Sequence, residues 1–122
     1  MARILVIDDE DVVRRLLRFA LESTGHEVVE AREGEEALRL HQAAPAQLVI
    51  TDIHMPERDG LEVIMALRRE FPQVRVIAMS GGGRFKDTRY LNAAAPLGAF
   101  IILQKPFQLD TMLAAVNQAL NA

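Results

Sequence analysis

Three carboxylates, a hydroxyl and an ammonium each follow a different apolar run of this chain. Ile4-Leu5-Val6-Ile7 leads into Asp8 and Asp9, and Leu48-Val49-Ile50-Thr51 into Asp52. Val74 to Met79 leads into Ser80, and Phe100 to Gln104 into Lys105. If the four runs are parallel strands of one sheet, the polar groups share its carboxyl edge, where open α/β sheets bind their ligands. The chemistry they could do together is phosphoryl transfer. Asp8, Asp9 and Asp52 repel one another: a unit-charge pair at 4 Å is worth about 4 kcal/mol at an effective dielectric of 20. A divalent cation would relieve that repulsion, and an all-oxygen ligand set favours Mg²⁺ or Mn²⁺ over zinc or copper. Asp52 is then a possible nucleophile, able to carry a phosphoryl group as an acyl phosphate. The cation, Ser80 and Lys105 could each hold a phosphoryl oxygen, because this transfer depends on positioning and on stabilising spread charge.

Taken singly, each group has a plain structural reading. Asp8-Asp9-Glu10-Asp11 alone reads equally as a solvated turn or a metal site, and Asp often starts a loop. Ser80 before three glycines is ordinary turn chemistry. Lys105 before Pro106 suits a surface bend. Their joint occurrence on one expected edge favours function.

The elements that must position them follow from periodicity. The four runs are short, continuous and rich in β-branched residues, as strands covered on both faces are. His26 to Ala31 is a fifth, edge-type candidate, because it carries charges. Val13, Leu16, Leu17, Ala20 and Leu21 form an apolar stripe from Asp11 to Thr24, with Gly25 as the cap. Glu33 to Ala43 starts acidic and carries Ala37, Leu38 and Leu40. Asp59 can cap a helix through Phe71 that Pro72 stops, with Leu61, Ile64 and Leu67 buried. A last helix runs from Leu109 to Leu120, and a weaker one from Arg84 to Ala95. Strands alternating with helices make a doubly wound α/β sheet with helices on both faces.

Composition excludes several classes. The 122 residues suit one domain, with 50% hydrophobic and 25% charged content. A net charge of −3 and no Lys/Arg-rich run speak against direct nucleic-acid binding. With no cysteine there is neither a disulfide nor a thiolate site, which is compatible with the cytoplasm. Four apolar residues before Asp8 are too few for a signal peptide or a membrane span.

The chain resembles the receiver domain of bacterial two-component response regulators over essentially its whole length, residues 1–122. The resemblance is carried by Ile4-Leu5-Val6-Ile7-Asp8-Asp9-Glu10, by Asp52-Ile53-His54-Met55-Pro56 with Asp59-Gly60, by Met79-Ser80-Gly81, and by Lys105-Pro106-Phe107. It implies a flavodoxin-like five-stranded parallel sheet of order 2-1-3-4-5. It also implies Asp52 as phospho-acceptor, Asp9 as a direct Mg²⁺ ligand, Asp8 as one acting mainly through water, and the His54 backbone carbonyl as another. Ser80 becomes the switch hydroxyl, Lys105 the phosphate-pairing cation, Gly60 a structural glycine, and Lys105–Pro106 a cis peptide. The donor is a phosphohistidine on a sensor histidine kinase or a phosphotransfer protein. The implied function is a phosphorylation-dependent signalling switch, catalysing only its own modification and acting on an unknown downstream protein.

Some features depart from that pattern. Receivers commonly carry Tyr or Phe three residues before the lysine, where this chain has Ile102; Tyr90 is a substitute reporter or an ordinary helix tyrosine. The stretch from Ser80 to Lys105 is longer than in many receivers, and Gly81-Gly82-Gly83 makes its start permissive, so mobility and a displaced helix are expected there. His54 and Gly82 flank the acceptor and switch positions, where the family tunes phosphoryl lifetime. His26, His41, Arg14, Arg15 and Arg18 read as surface groups. A phosphorylation-silent binding module is the alternative that Ile102 leaves open. A haloacid-dehalogenase-type hydrolase wants a second Asp where His54 stands, and a flavin-binding flavodoxin wants a hydroxyl-rich first loop. The chain is expected to be a stand-alone receiver or the receiver of a longer regulator.

Overall fold

The computed structural model describes residues 2–53, 60–80, 101–104 and 107–121, with Gly60, Leu61, Ser80 and Gln104 described by their backbone alone. In chain order the elements are β1 (Arg3–Ile7), α1 (Asp11–Ser23), β2 (Glu27–Ala31), α2 (Gly34–Ala43) and β3 (Leu48–Asp52). They continue with α3 (Gly60–Glu70), β4 (Arg75–Ser80), β5 (Ile101–Gln104) and α4 (Leu109–Leu120). All neighbouring strands pair in parallel, in the order β2-β1-β3-β4-β5. This is the flavodoxin-like order that the resemblance implies. The expected helix from Arg84 to Ala95 lies outside the described residues, as do Tyr90 and Gly82.

The continuous apolar runs are explained by two separate cores. Side chains alternate across a strand, so Ile4, Val6, Leu48, Ile50, Ile77 and Met79 face α1 and α4, joining Leu17, Leu21, Met112 and Val116. Leu5, Ile7, Val49, Val76 and Ala78 join Ala37, Ile64 and Leu67 of α2 and α3 on the other face. A central strand with helices on both sides has no face left for polar residues.

The local signals hold at several ends. Gly25 follows α1 with φ +92°, the left-handed conformation glycine adopts without steric cost. Glu33 caps α2 by accepting from the Glu36 amide at 3.0 Å, while Glu36 accepts from the Arg32 amide at 2.7 Å. α3 stops at Glu70, before Pro72.

Three expectations on the helices are corrected. Leu16 is 51% exposed and lies off the buried stripe. That stripe is Arg14, Leu17, Ala20 and Leu21, because Arg14 sits one turn before Leu17 on the inward face. Arg14 is therefore buried, 6% exposed, and does not belong to a solvated surface. His41 is buried as well, at 2% exposure: it stands one turn after Ala37 and follows it into the core. Its Nδ1 accepts from the Ala46 amide at 3.0 Å, and its ring meets Phe71 edge to face at 4.3 Å. With Phe71 and Val74 it lines a cleft of about 620 Å³ near the amino-terminal ends of β3 and β4.

Burial holds the His41 imidazole below its ordinary pKa of 6.5, which favours the neutral form in the fold. Above that value both folded and unfolded chains are neutral here. On acidification the unfolded chain takes up a proton that the folded one resists, so stability falls until the lowered folded pKa is passed. His26, whose Nδ1 accepts from the Ala2 amide at 3.2 Å, is shifted the same way by burial and then by the N-terminal charge. His41→Gln is expected to flatten the decline in melting temperature below about pH 6.5. His26→Gln is the comparison, and an unchanged slope in His41→Gln contradicts the assignment.

Candidate functional site

Backbone register brings Asp8, Asp52 and Ser80 to one edge. Ile7 pairs with Thr51, so the next residues along the two strands are Asp8 and Asp52. Asp52 pairs with Met79, one step before Ser80, and Ser80 pairs with Gln104, one step before Lys105. Asp8, Asp52 and Ser80 therefore stand in a staggered row at the carboxyl ends of β1, β3 and β4, with Gln104 ending β5 beside Ser80. Lys105, Pro106 and His54 themselves lie outside the described residues. Gly60 opens α3. Ile102 is half-buried, pairs with Ala78 and packs on the α2–α3 core.

The described carboxylates differ in environment. Asp8 is fully buried and Asp52 is 4% exposed, whereas Asp9 is exposed. The Asp8 amide donates to the Ala31 carbonyl at 3.2 Å, and Asp8 Oδ1 accepts from the Glu10 amide at 2.9 Å. This tight turn gathers the carboxylate oxygens of Asp8, Asp9 and Glu10 within 4.8 Å of one another. Asp52 stands on the neighbouring strand, outside that trio. Glu10 was not among the predicted ligands. The signal for it was present in the unbroken acidic run, but only the turn geometry brings it back over Asp8. Oxygen-only donors of this kind fit a hard cation such as Mg²⁺.

A cationic network lies behind the acids. The Arg14 guanidinium donates to the Asp8 carbonyl at 2.5 Å, to the Asp11 carboxylate, and to Glu30 at 3.2 Å. Arg18 bonds Glu30 at 2.8 Å and Glu22 at 3.2 Å. The hydrogen bond from Arg14, then its charge, holds the Asp11 carboxyl below its usual pKa.

Buried acids at the ends of β1 and β3, in a sheet of this order, are joined by a match of residues 4–117 to the response regulator receiver domain family. The chain belongs to that family. The receiver is 35% identical over 120 residues to the chemotaxis protein CheY of Bacillus subtilis (strain 168), covering 98% of each chain. It is 34% identical to the transcriptional regulatory protein GlrR of Escherichia coli (strain K12), covering 98% of this chain but 26% of GlrR. The receiver thus spans about a quarter of the length of that regulator. Among solved structures, the response regulator receiver domain protein of Clostridium thermocellum superposes with a TM-score of 0.90 at 34% identity. That superposition covers 99% of this chain and 95% of the other.

Receiver domains are the signalling switches of two-component systems, not classical enzymes, and they interact with sensor kinases or phosphotransfer proteins. They typically use Mg²⁺ at an acidic pocket, and the trio at the end of β1 is an acidic cluster of that kind. Among the described residues no helix is long and apolar enough to cross a membrane.

Proposed function

We propose that residues 1–122 form one cytoplasmic receiver that takes a phosphoryl group onto Asp52 from a phosphohistidine. The donor is a sensor histidine kinase or a phosphotransfer protein. The observation that carries this reading is the pairing of β1 with β3, which sets buried Asp8 beside buried Asp52 at the edge where Ser80 also ends its strand. An Asp52 carboxylate oxygen attacks phosphorus, forming an O–P bond as the P–N bond to the donor imidazole breaks. The nucleophile is the carboxylate form of Asp52, whose attack releases no proton and so needs no base. Asp8, Asp9, Asp52 and the His54 backbone carbonyl are the residues to hold Mg²⁺ or Mn²⁺. When bound, that ion neutralises the acids and the phosphoryl oxygens. The Ser80 hydroxyl donates to one phosphoryl oxygen and Lys105 pairs with another. Their engagement shifts the population of a protein-binding face toward its active form.

Ile102 supports a second reading in one respect. With an aliphatic side chain packed on the α2–α3 core, the usual aromatic reporter is missing, as it would be in a phosphorylation-silent binding module. One experiment separates the two. Incubated with acetyl phosphate and Mg²⁺, the chain gains a single phosphoryl adduct in its intact mass, and a chelator prevents it. An unmodified chain under those conditions supports the silent module instead.

A further inference from the structure

We propose that Arg14 is a positioning residue for the cation site, holding the Asp8–Asp9–Glu10 turn in the shape that gathers its carboxylates. The inference rests on the reading of that turn as a divalent-cation site.

Asp8 is fastened on three sides by described contacts. Its amide donates to Ala31 of β2 at 3.2 Å, its Oδ1 accepts from Glu10 at 2.9 Å, and its carbonyl accepts from Arg14 Nη1 at 2.5 Å. Only the last of these reaches the turn from the buried face of α1. The same planar guanidinium spans Asp11 and Glu30, a fork geometry that a lysine ammonium does not reproduce. Three carboxylates within 4.8 Å push one another apart. The Asp8 carbonyl, held by Arg14, fixes the backbone of the turn and resists that spreading before any cation arrives. The chain thereby meets the cost of gathering like charges during folding, which leaves more of the ion's attraction as affinity.

Charge alone predicts the opposite result. Arg14 is a cation close to the site, so removing it would by Coulomb's law tighten binding of another cation. A purely structural strut between α1 and β2 would change stability and leave affinity untouched. Mg²⁺ affinity, measured by titration calorimetry on folded protein, therefore separates the three roles.

Arg14→Met is expected to bind Mg²⁺ about 10-fold to 100-fold more weakly than wild type, the usual loss when a group orienting a ligand is removed. Arg14→Lys, which keeps the charge and serves if the methionine variant does not fold, is also expected to bind more weakly. Arg18→Met removes a charge from the same Glu30 without touching Asp8, and is expected to bind as wild type does. Equal or tighter binding by the Arg14 variants overturns the proposal, and so does an equal loss in Arg18→Met. A wild-type chain that binds no Mg²⁺ instead overturns the reading of the acids as a cation site, and this inference with it.

Discussion

Asp52→Asn is expected to abolish the phosphoryl adduct formed with acetyl phosphate and Mg²⁺, while the protein stays folded. Asparagine has the shape of aspartate, so the buried end of β3 and its pairing with β4 survive the change. What disappears is the nucleophile: an amide oxygen in place of a carboxylate neither attacks phosphorus at a useful rate nor yields an acyl phosphate. Losing one buried negative charge beside Asp8 also removes a repulsion, so the melting temperature should not fall. Intact mass and a thermal melt report the two halves together. An adduct of wild-type yield in the variant would move the acceptor to another residue, which fragment masses would then locate.

The second large effect concerns the acids that follow β1. Asp8→Asn is expected to weaken Mg²⁺ binding by about 10-fold to 100-fold, since it removes a negative charge that acts on the ion mainly through water. Without metal the same change is expected to stabilise the fold by about 1 kcal/mol. That is well below the bare pair energy, because exposed Asp9 and Glu10 are screened by water. The Asn Oδ1 can still accept from the Glu10 amide, so the turn loses charge and keeps its bond. Asp9→Asn should act in the same direction. The signature is a crossing: each variant outlasts wild type in denaturant with chelator and falls behind it in saturating Mg²⁺, where binding stabilises only the intact site. Lower stability than wild type in chelator, for both variants, would contradict like-charge crowding.

Much of this was legible in the residues. Ile4 to Ile7, Leu48 to Thr51 and Val74 to Met79 read as strands because each is a short, mostly continuous apolar run. The spacing of Met112, Leu113, Val116 and Leu120 gave the last helix its limits. Asp8, Asp52 and Ser80 were placed on one edge before any register was known, because each ends such a run. Arg14 and His41 were misread for a shared reason. Periodicity treats charged and polar side chains as solvent-facing, yet each found acceptors or a ring inside the fold that cancels its burial cost. Leu16 failed in the converse way, since neighbouring leucines on a helix point about 100° apart and only Leu17 faces the sheet. Glu10 depended on a turn whose closure is a tertiary event. His54, Lys105, Pro106 and the segment from Arg84 to Ala95 lie outside the described residues and stay as expectations from the resemblance.

The split of the central strands between two cores has a consequence for how β3 keeps its alignment. Leu48, Val49 and Ile50 are all buried and all apolar, so sliding the strand by one residue would exchange its partners without exposing oil to water. Greasiness cannot police the frame here. The interlock of particular shapes must do so, with the acidic terminus that only one frame leaves at the rim. A single-residue frame error would shift the acceptor by about 3.3 Å and turn it toward the other helical layer. The protein would remain well buried and lose its chemistry.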